Sequence, residues 1–348
     1  MDAALPFPRI VGHSAAREAL GASLQRRRVP GALLLLGPDG VGRALLLREL
    51  ARGLLCAAGE GAVRPCPLDA PCPACRRVER GTHADLLHLR PEGQASISID
   101  QVREALAELA LAPVEGRARV LILDPASSLS EPAQNALLKG LEEPGPRAHL
   151  FLLARSEDEL LPTIVSRCLL LRLEELSRAE VAEVLRRAGV APPDAEARAR
   201  WSGGSPGKAL APEAPERASL VERALQALGS GEAWQDPMSL VDALLGHCDQ
   251  GAADLAEKRE RLLELVRALS RGLRDALVLR SGAGCEALSG AAPQLLEPLL
   301  RLPPGRLEAA LERLGRTEEE VQENVNPTLV VEGLVLDLGE TLEMAAAR

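Results

Sequence analysis

A run of four leucines, residues 33–36, leads directly into Gly37-Pro-Asp-Gly-Val-Gly-Arg43-Ala44, and a helical pattern follows over 44–55. Strand, glycine loop and helix in that order present backbone N–H groups and a positive helix end to an anion. A plain glycine turn between strand and helix satisfies the same glycines, but the flanking elements favour a phosphate-binding loop. Gly37 and Gly42 fit the pattern G-x-x-x-x-G-K-[ST], with Gly40 between them. The last two positions depart from it. Arg43 stands where a lysine reaches the β- and γ-phosphates, and a planar guanidinium fork is not interchangeable with an ammonium. Ala44 stands where a hydroxyl ligates Mg²⁺, which a methyl cannot do.

Four further short apolar runs, 86–89, 120–123, 150–153 and 169–173, have strand length and Gly, Pro or Asp boundaries. Helical patterns separate them, among them 100–111, with Asp100 as its expected N-cap. Another is 130–143, with Ser130 and Pro132 at its start and Pro144 as its stop. Strands alternating with helices imply a mostly parallel sheet covered on both faces. Beyond residue 173 the strand signal fades. A helix is expected over 174–189 with Ser177 as its cap, and a small helical unit ends at Trp201-Ser-Gly-Gly-Ser-Pro-Gly-Lys-Ala-Leu210. Ala211-Pro-Glu-Ala-Pro215 reads as a linker, and the rest is helical throughout, for example 262–279 and 329–342.

The second acidic strand end is Asp124, the position that holds the Mg²⁺ side of a phosphate loop. In hydrolysing loops a second acid follows to polarise the attacking water. Here Pro125 follows, with no acid or base function. Ala154, after the fourth strand, also lacks a polar group to orient that water. Arg43, Ala44, Pro125 and Ala154 together predict a chain that does not hydrolyse ATP. Backbone N–H groups at Gly37, Gly40 and Gly42 could still hold a diphosphate, so the residues leave open whether ATP or ADP binds.

Cys56, Cys66, Cys72 and Cys75 fall within a short insert, with Cys72-Pro-Ala-Cys75 as a C-x-x-C and Pro65, Pro67, Pro71 and Pro73 enforcing turns. Free thiols or a redox pair would fit some of these residues. Four thiolates at this spacing point to a closed tetrahedral Zn²⁺ site of structural type. His83 and His88 lie too late in the insert to be preferred as ligands. Cys168, Cys248 and Cys285 stand alone and read as small core residues.

The balance of 41 basic against 50 acidic residues in 348 gives a net charge of −9, and only three of the basic residues are lysine. That argues against a stand-alone binder of DNA backbone, including a zinc-dependent nucleic-acid module. Aromatics are limited to Phe7, Phe151, Trp201 and Trp234, with no tyrosine, too few for a base-stacking platform. Arg26-Arg-Arg28 ends the first helix and reads as a solvated helix end. No apolar run approaches the roughly 18 residues of a membrane span. The start, Met1-Asp2-Ala3-Ala4-Leu5-Pro6, carries no signal pattern. A cytoplasmic chain with reduced cysteines is expected.

Arg167, in Thr163-Ile-Val-Ser-Arg-Cys168, lies between the fourth and fifth strands. An arginine in such a loop is either a solvated charge or one that reaches a neighbour's γ-phosphate. Spacing alone leaves that choice open. Val11-Gly-His13, residues 37–44, the four cysteines, Gly81-Thr-His-Ala-Asp85, Asp100-Gln-Val-Arg103, Asn135-Ala-Leu-Leu-Lys139, Leu141-Glu-Glu-Pro144, Ser166-Arg-Cys168 and Gly204-Ser-Pro-Gly207 together resemble the delta-prime subunits of the bacterial DNA polymerase III clamp loader, which are AAA+ proteins. The last 130 or so residues resemble the family in helical character only, with Asn324–Pro327 before a final amphipathic helix.

The resemblance implies an α/β plus all-α chain. An AAA+ parallel-sheet domain (1–173) would carry the zinc insert at 56–75. A small helical lid (174–212) and a C-terminal helical collar (213–348) would follow. It implies a stator that presents Arg167 in trans to ATP held by a gamma/tau motor subunit. The partners would be the motor and delta subunits of a hetero-pentameric ring. The sliding clamp and primed DNA would be reached through that complex, which belongs to a DNA-directed DNA polymerase. An active AAA+ motor ATPase with an atypical loop is the competing expectation. Two departures from the family pattern, Gly140 after Lys139 and Gly207 where motor subunits carry a nucleotide-sensing arginine, fit a chain that does not turn over ATP.

Overall fold

The computed structural model describes residues 7–58, 66–67, 69–91, 96–230, 236–250, 252, 254–282, 293–323 and 325–343. The chain start through Pro6, together with Pro65, Trp234, Cys285 and Asn324, lies outside them. The chain divides into two compact units, Met1–Ser177 and Arg178–Arg348. The expected boundary between lid and collar falls inside the second unit.

The first unit runs α1 (Ser14–Gln25), β1 (Ala32–Leu36), α2 (Arg43–Leu55), α3 (Pro73–Arg80), β2 (Leu86–Leu89), α4 (Ile99–Leu109), β3 (Arg119–Leu123), α5 (Glu131–Glu142), β4 (Ala148–Ala154), α6 (Pro162–Val165) and β5 (Leu169–Arg172). The strands form one parallel sheet in the order β2-β3-β4-β1-β5. A parallel sheet needs cover on both faces, which is why its strands read as unbroken apolar runs. Every residue of β1 and β3 is buried. Leu34, Leu36, Leu121, Leu123, Leu150 and Leu152 share one cluster with Val102 and Leu109 of α4 and Ala133, Leu137 and Leu141 of α5. Strand alternation sends the intervening residues to the other face, where α2 packs on β3 and β4 and Leu46, Leu47 and Leu50 are fully buried. β5 closes the edge, leaving Leu169 and Leu170 exposed.

Two helix starts show how local chemistry sets the boundaries. Ser130 caps α5 by accepting the Ala133 N–H at 3.4 Å, and Pro132 sits in the first turn. For α4 the expected cap, Asp100, is corrected to Ser98. Its hydroxyl accepts the Gln101 N–H at 3.3 Å, and the Gln101 side chain accepts the Ser98 N–H at 2.8 Å. This reciprocal pair satisfies two helix-end donors at once, which an aspartate two residues later does not. Gly140, in α5, faces α4: a Cβ there would lie 2.7 Å from Leu106 Cδ2, so the glycine lets the two helices approach.

The second unit is all helix: α7 (Arg178–Arg187), α8 (Pro192–Trp201), α9 (Pro206–Leu210), α10 (Ala214–Ser230), α11 (Pro237–Asp249), α12 (Leu255–Arg280), α13 (Pro293–Leu300), α14 (Pro304–Gln322) and α15 (Pro327–Glu343). The helix expected over 174–189 begins only at Arg178, directly after Ser177. The expected linker is also shorter than its composition suggests. α10 begins at Ala214, because proline is tolerated in a first helical turn, where its missing N–H has no partner to lose. A single apolar cluster runs from Trp201 through α10, α11, α12, α14 and α15 and includes the buried Cys248. Gly272 allows α12 to cross α10 closely, since a Cβ would collide with Leu225 Cδ1. Among the described residues no helix is long and apolar enough to cross a membrane.

Candidate functional site

The loop after β1 is built on backbone conformations that demand glycine. Gly37 has φ 143°, and a Cβ there would collide with the Leu173 carbonyl oxygen. Gly42 has φ 107° and forms the N-cap of α2. Gly40 is also at positive φ. Within this frame Arg43 turns inward. Its guanidinium donates to the Ala154 carbonyl at the end of β4 and to the carboxylate of Asp39. The other Asp39 oxygen lies 2.5 Å from Nε of Arg155. Asp39 is therefore held between two guanidiniums, and the Arg43 side chain is only 10% exposed. A phosphate-loop lysine keeps its charge free for the ligand; Arg43 has spent its charge on the loop itself.

Asp124 follows β3 directly, as expected from the sequence. Its carboxylate meets Arg90, with Nη2 at 3.0 Å from Oδ2, and lies 3.9 Å from His88 Nε2. Nε of Arg90 donates to His88 Nε2 at 3.0 Å. Burial, then Arg90, hold the His88 pKa below its ordinary value. Where a hydrolysing site sets Mg²⁺ against the strand-end carboxylate, this chain sets a guanidinium. Neither Arg90 nor Asp39 stands out in the sequence, because each acts through a partner distant along the chain.

Arg167 follows the short helix α6. Nε and Nη2 lie 2.8 and 2.6 Å from the same Glu142 oxygen, and Nη1 donates to the Thr163 carbonyl at 3.0 Å. The sheet register decides its position. Leu169, two residues on, pairs with Leu33 at the start of β1, whereas the glycine loop leaves the end of β1 after Leu36. At a strand rise of about 3.3 Å per residue, Arg167 and the loop are on the order of 10 Å apart along β1, at opposite ends of the sheet. Cys168 beside it is half-buried, and burial pushes its thiol up to about 11. Arg26, Arg27 and Arg28 are exposed beyond the end of α1. In the second unit, Lys208 Nζ lies 2.8 Å from Glu264, so the cation after Gly207 is engaged there.

The four insert cysteines converge. Cys56 caps the end of α2, Cys72 caps the start of α3 and Cys75 lies in its first turn. All four sulfurs lie within 4.8 Å of one another, with Cys56 at 3.4 Å from Cys66 and 3.9 Å from Cys72. A tetrahedron with metal–sulfur bonds of about 2.3 Å has sulfur–sulfur edges of about 3.8 Å. A disulfide would bring two sulfurs to about 2.05 Å, and all four are free thiols. Four soft donors at this spacing fit a tetrahedral metal ion. Burial would raise the Cys72 thiol, but N–H groups of Cys75 and Ala57 outweigh it and bring it down to about 6. Burial raises Cys66 and, further, Cys75. Beside the cluster, Arg52 is fully buried, paired with Glu49 at 2.8 Å, and donates to the Cys66 carbonyl at 3.1 Å.

His83 is not among these donors. Its Nδ1 accepts the Asp85 N–H at 3.1 Å. Asp85 in turn accepts the N–H groups of Val114, Glu115 and Gly116 at 2.7, 2.9 and 2.6 Å. Gly81-Thr-His-Ala-Asp85 is thus a structural knot that folds residues 114–116 back onto the sheet.

A family model described as DNA polymerase III, delta subunit, matches residues 12–177. The delta' subunit of DNA polymerase III from Escherichia coli is 32% identical over 334 residues, covering 94% of this chain and 94% of that protein. The tau subunit from Salmonella typhimurium is 33% identical over 344 residues, covering 90% of this chain and 50% of that protein. The delta' subunit from Pseudomonas aeruginosa is 39% identical over 140 residues, covering 39% of this chain and 41% of that protein. The chain spans half or less of the tau subunits it matches. The chain joins a parallel α/β sheet unit carrying a glycine loop to an all-helical unit. The chain belongs to the family of delta-prime subunits of the DNA polymerase III clamp loader.

Proposed function

We propose that this chain is a clamp-loader subunit that hydrolyses no ATP and lends Arg167 to ATP bound by a neighbouring subunit. The observation that carries the reading is the placement of Arg167 at the opposite end of β1 from the chain's own loop. An arginine there serves a second chain better than its own. Three features of the loop support the same division of labour: Arg43 is tied to Asp39 and Ala154, Ala44 brings no hydroxyl, and Arg90 covers Asp124. In phosphoryl transfer, a guanidinium supplied in trans neutralises charge on the equatorial oxygens of the transferred group. Arg167 would leave Glu142 to do so.

The partners of this reading are the gamma/tau motor subunits and the delta subunit in a hetero-pentameric ring in the cytoplasm. The sliding clamp and primed DNA would be met through that assembly. Cys56, Cys66, Cys72 and Cys75 would hold one Zn²⁺ with no open coordination position, so its contribution is to join the end of α2 to α3. The test compares ATPase of the reconstituted complex with and without Arg167→Ala, alongside the chain alone. The reading expects no turnover by the chain alone and a large loss in the mutant complex. Turnover by the isolated chain that disappears in Arg43→Ala overturns it.

A further inference from the structure

Between α2, α3 and the ends of β2 and β3 lies a pocket of about 180 Å³ whose wall includes Ala44, Arg48, Glu79, Arg80, His88 and Arg90. Of loop residues 37–44 only Ala44 lines it, so it adjoins the metal side of the glycine loop. At about 30 Å³ per water it has room for about six waters, the scale of a small oxyanion.

The charge on this wall is unusual for the chain. Carboxylates outnumber basic groups 50 to 41. Yet among the described residues the side chains of Arg48 and Arg80 have neither ion pair nor hydrogen bond. Glu79 does not offset them, because its Oε1 lies 3.0 Å from Arg9 and 3.5 Å from Arg52. The third arginine, Arg90, is oriented by Asp124 and by its hydrogen bond to His88 Nε2. In a hydrolysing site this side of the loop holds a divalent cation between the hydroxyl at the position of Ala44 and the strand-end carboxylate. Here a methyl replaces the hydroxyl, Arg90 neutralises the carboxylate, and the wall beyond is cationic. The local charge logic of a metal site has been inverted.

We propose that this pocket binds a phosphate oxyanion directly, without a divalent metal ion, through Arg48, Arg80 and Arg90. Guanidinium forks match phosphate oxygens bidentately, and among the described residues two of these three forks make no ion pair with an acid. The phosphate comes either from a free anion such as pyrophosphate or from a nucleic-acid backbone. The recessed shape favours the former.

The test is calorimetric titration of the full, metal-replete chain with pyrophosphate in about 0.1 M salt free of divalent cations, with a duplex oligonucleotide titrated in parallel. The double variant Arg48→Gln/Arg80→Gln is the principal comparison. Arg80→Gln alone, at an exposed position on the last turn of α3, is the variant with least effect on folding. Pyrophosphate is expected to bind, to weaken about tenfold or more in the double variant, and to weaken when Mg²⁺ neutralises it. A variant effect on oligonucleotide binding with none on pyrophosphate assigns the ligand to the nucleic-acid backbone; the reverse assigns it to the free anion. Failure of both ligands to bind, binding of both unchanged in a folded double variant, or a requirement for Mg²⁺ overturns the proposal. The result is independent of whether Arg167 acts on a neighbour.

Discussion

Arg167 is held by Glu142: two of its guanidinium nitrogens lie within 2.8 Å of a single carboxylate oxygen. The pair joins the last residue of α5 to the turn before β5, at the end of the sheet away from the glycine loop. Half-exposed Glu142 orients the cation without burying it, so the guanidinium remains exchangeable with a stronger anion such as a phosphate.

Substitution Arg167→Ala is expected to lower ATP turnover at the shared site of the reconstituted complex by about 10³–10⁵, the usual range for a missing trans arginine. Glu142→Gln is expected to preserve that turnover. Because the ion pair is partly exposed, each variant should keep the stability of the isolated chain within about 1 kcal/mol. Steady-state phosphate release and denaturant melts check both statements. Undiminished turnover by the Arg167→Ala complex contradicts the assignment.

Restoring the consensus loop should not restore chemistry. Arg43→Lys with Ala44→Thr frees Asp39 of one guanidinium and returns a metal-ligating hydroxyl. Nucleotide affinity, read with a fluorescent diphosphate, should rise. Hydrolysis should remain absent, since Pro125 and Ala154 still provide no group to activate or orient water. Measurable turnover by this double variant would show that the loop residues alone set the defect.

Elemental analysis should find about one Zn²⁺ per chain, and Cys72→Ser/Cys75→Ser should abolish it. Thiols must lose protons to bind the metal, so zinc retention should fall as pH falls. The apo cluster is predisposed at Cys72, whose thiol lies at about 6, while Cys66 and Cys75 are raised. Native chain purified without metal and stable to chelators would refute this site.

Acid should loosen the knot around Asp85. Burial alone would raise this carboxyl, but three backbone N–H groups and Arg119 hold it below the ordinary range. Burial also holds His83 below its ordinary pKa. Both groups bind protons more readily in the unfolded chain, so each contributes stability that is present above its unfolded pKa and lost as pH falls. The His83 contribution is lost first, below about 6.5, and that of Asp85 below about 4. Asp85→Ala leaves three N–H groups without their acceptor and should cost about 3 kcal/mol or more. Urea melts from pH 7 to 3 on both proteins would show the slope shrinking in the variant.

Much of this molecule is legible in its residues. The apolar runs at 33–36, 120–123 and 150–153 became buried strands, as their length and their Gly, Pro or Asp boundaries favoured. The glycines of the loop were equally telling, because a positive φ admits little else. Four cysteines in one short insert specified their own convergence, because so few residues separate them that the connecting turns keep their sulfurs close. The cap of α4 was misplaced because Ser98 and Asp100 both suit a helix start, and only the reciprocal Gln101 contact separates them.

What the tertiary structure alone decided is where the charges end up. Arg43 meets the carbonyl of Ala154, 111 positions away, and Arg90 meets Asp124, 34 positions away. Arg167 lands at the far end of β1 from the loop because β5 starts in register with Leu33. Apolar runs and glycines act through local backbone preference and burial, which the linear order already carries. Charge pairs depend on strand order and register, which arise only when distant segments pack side by side.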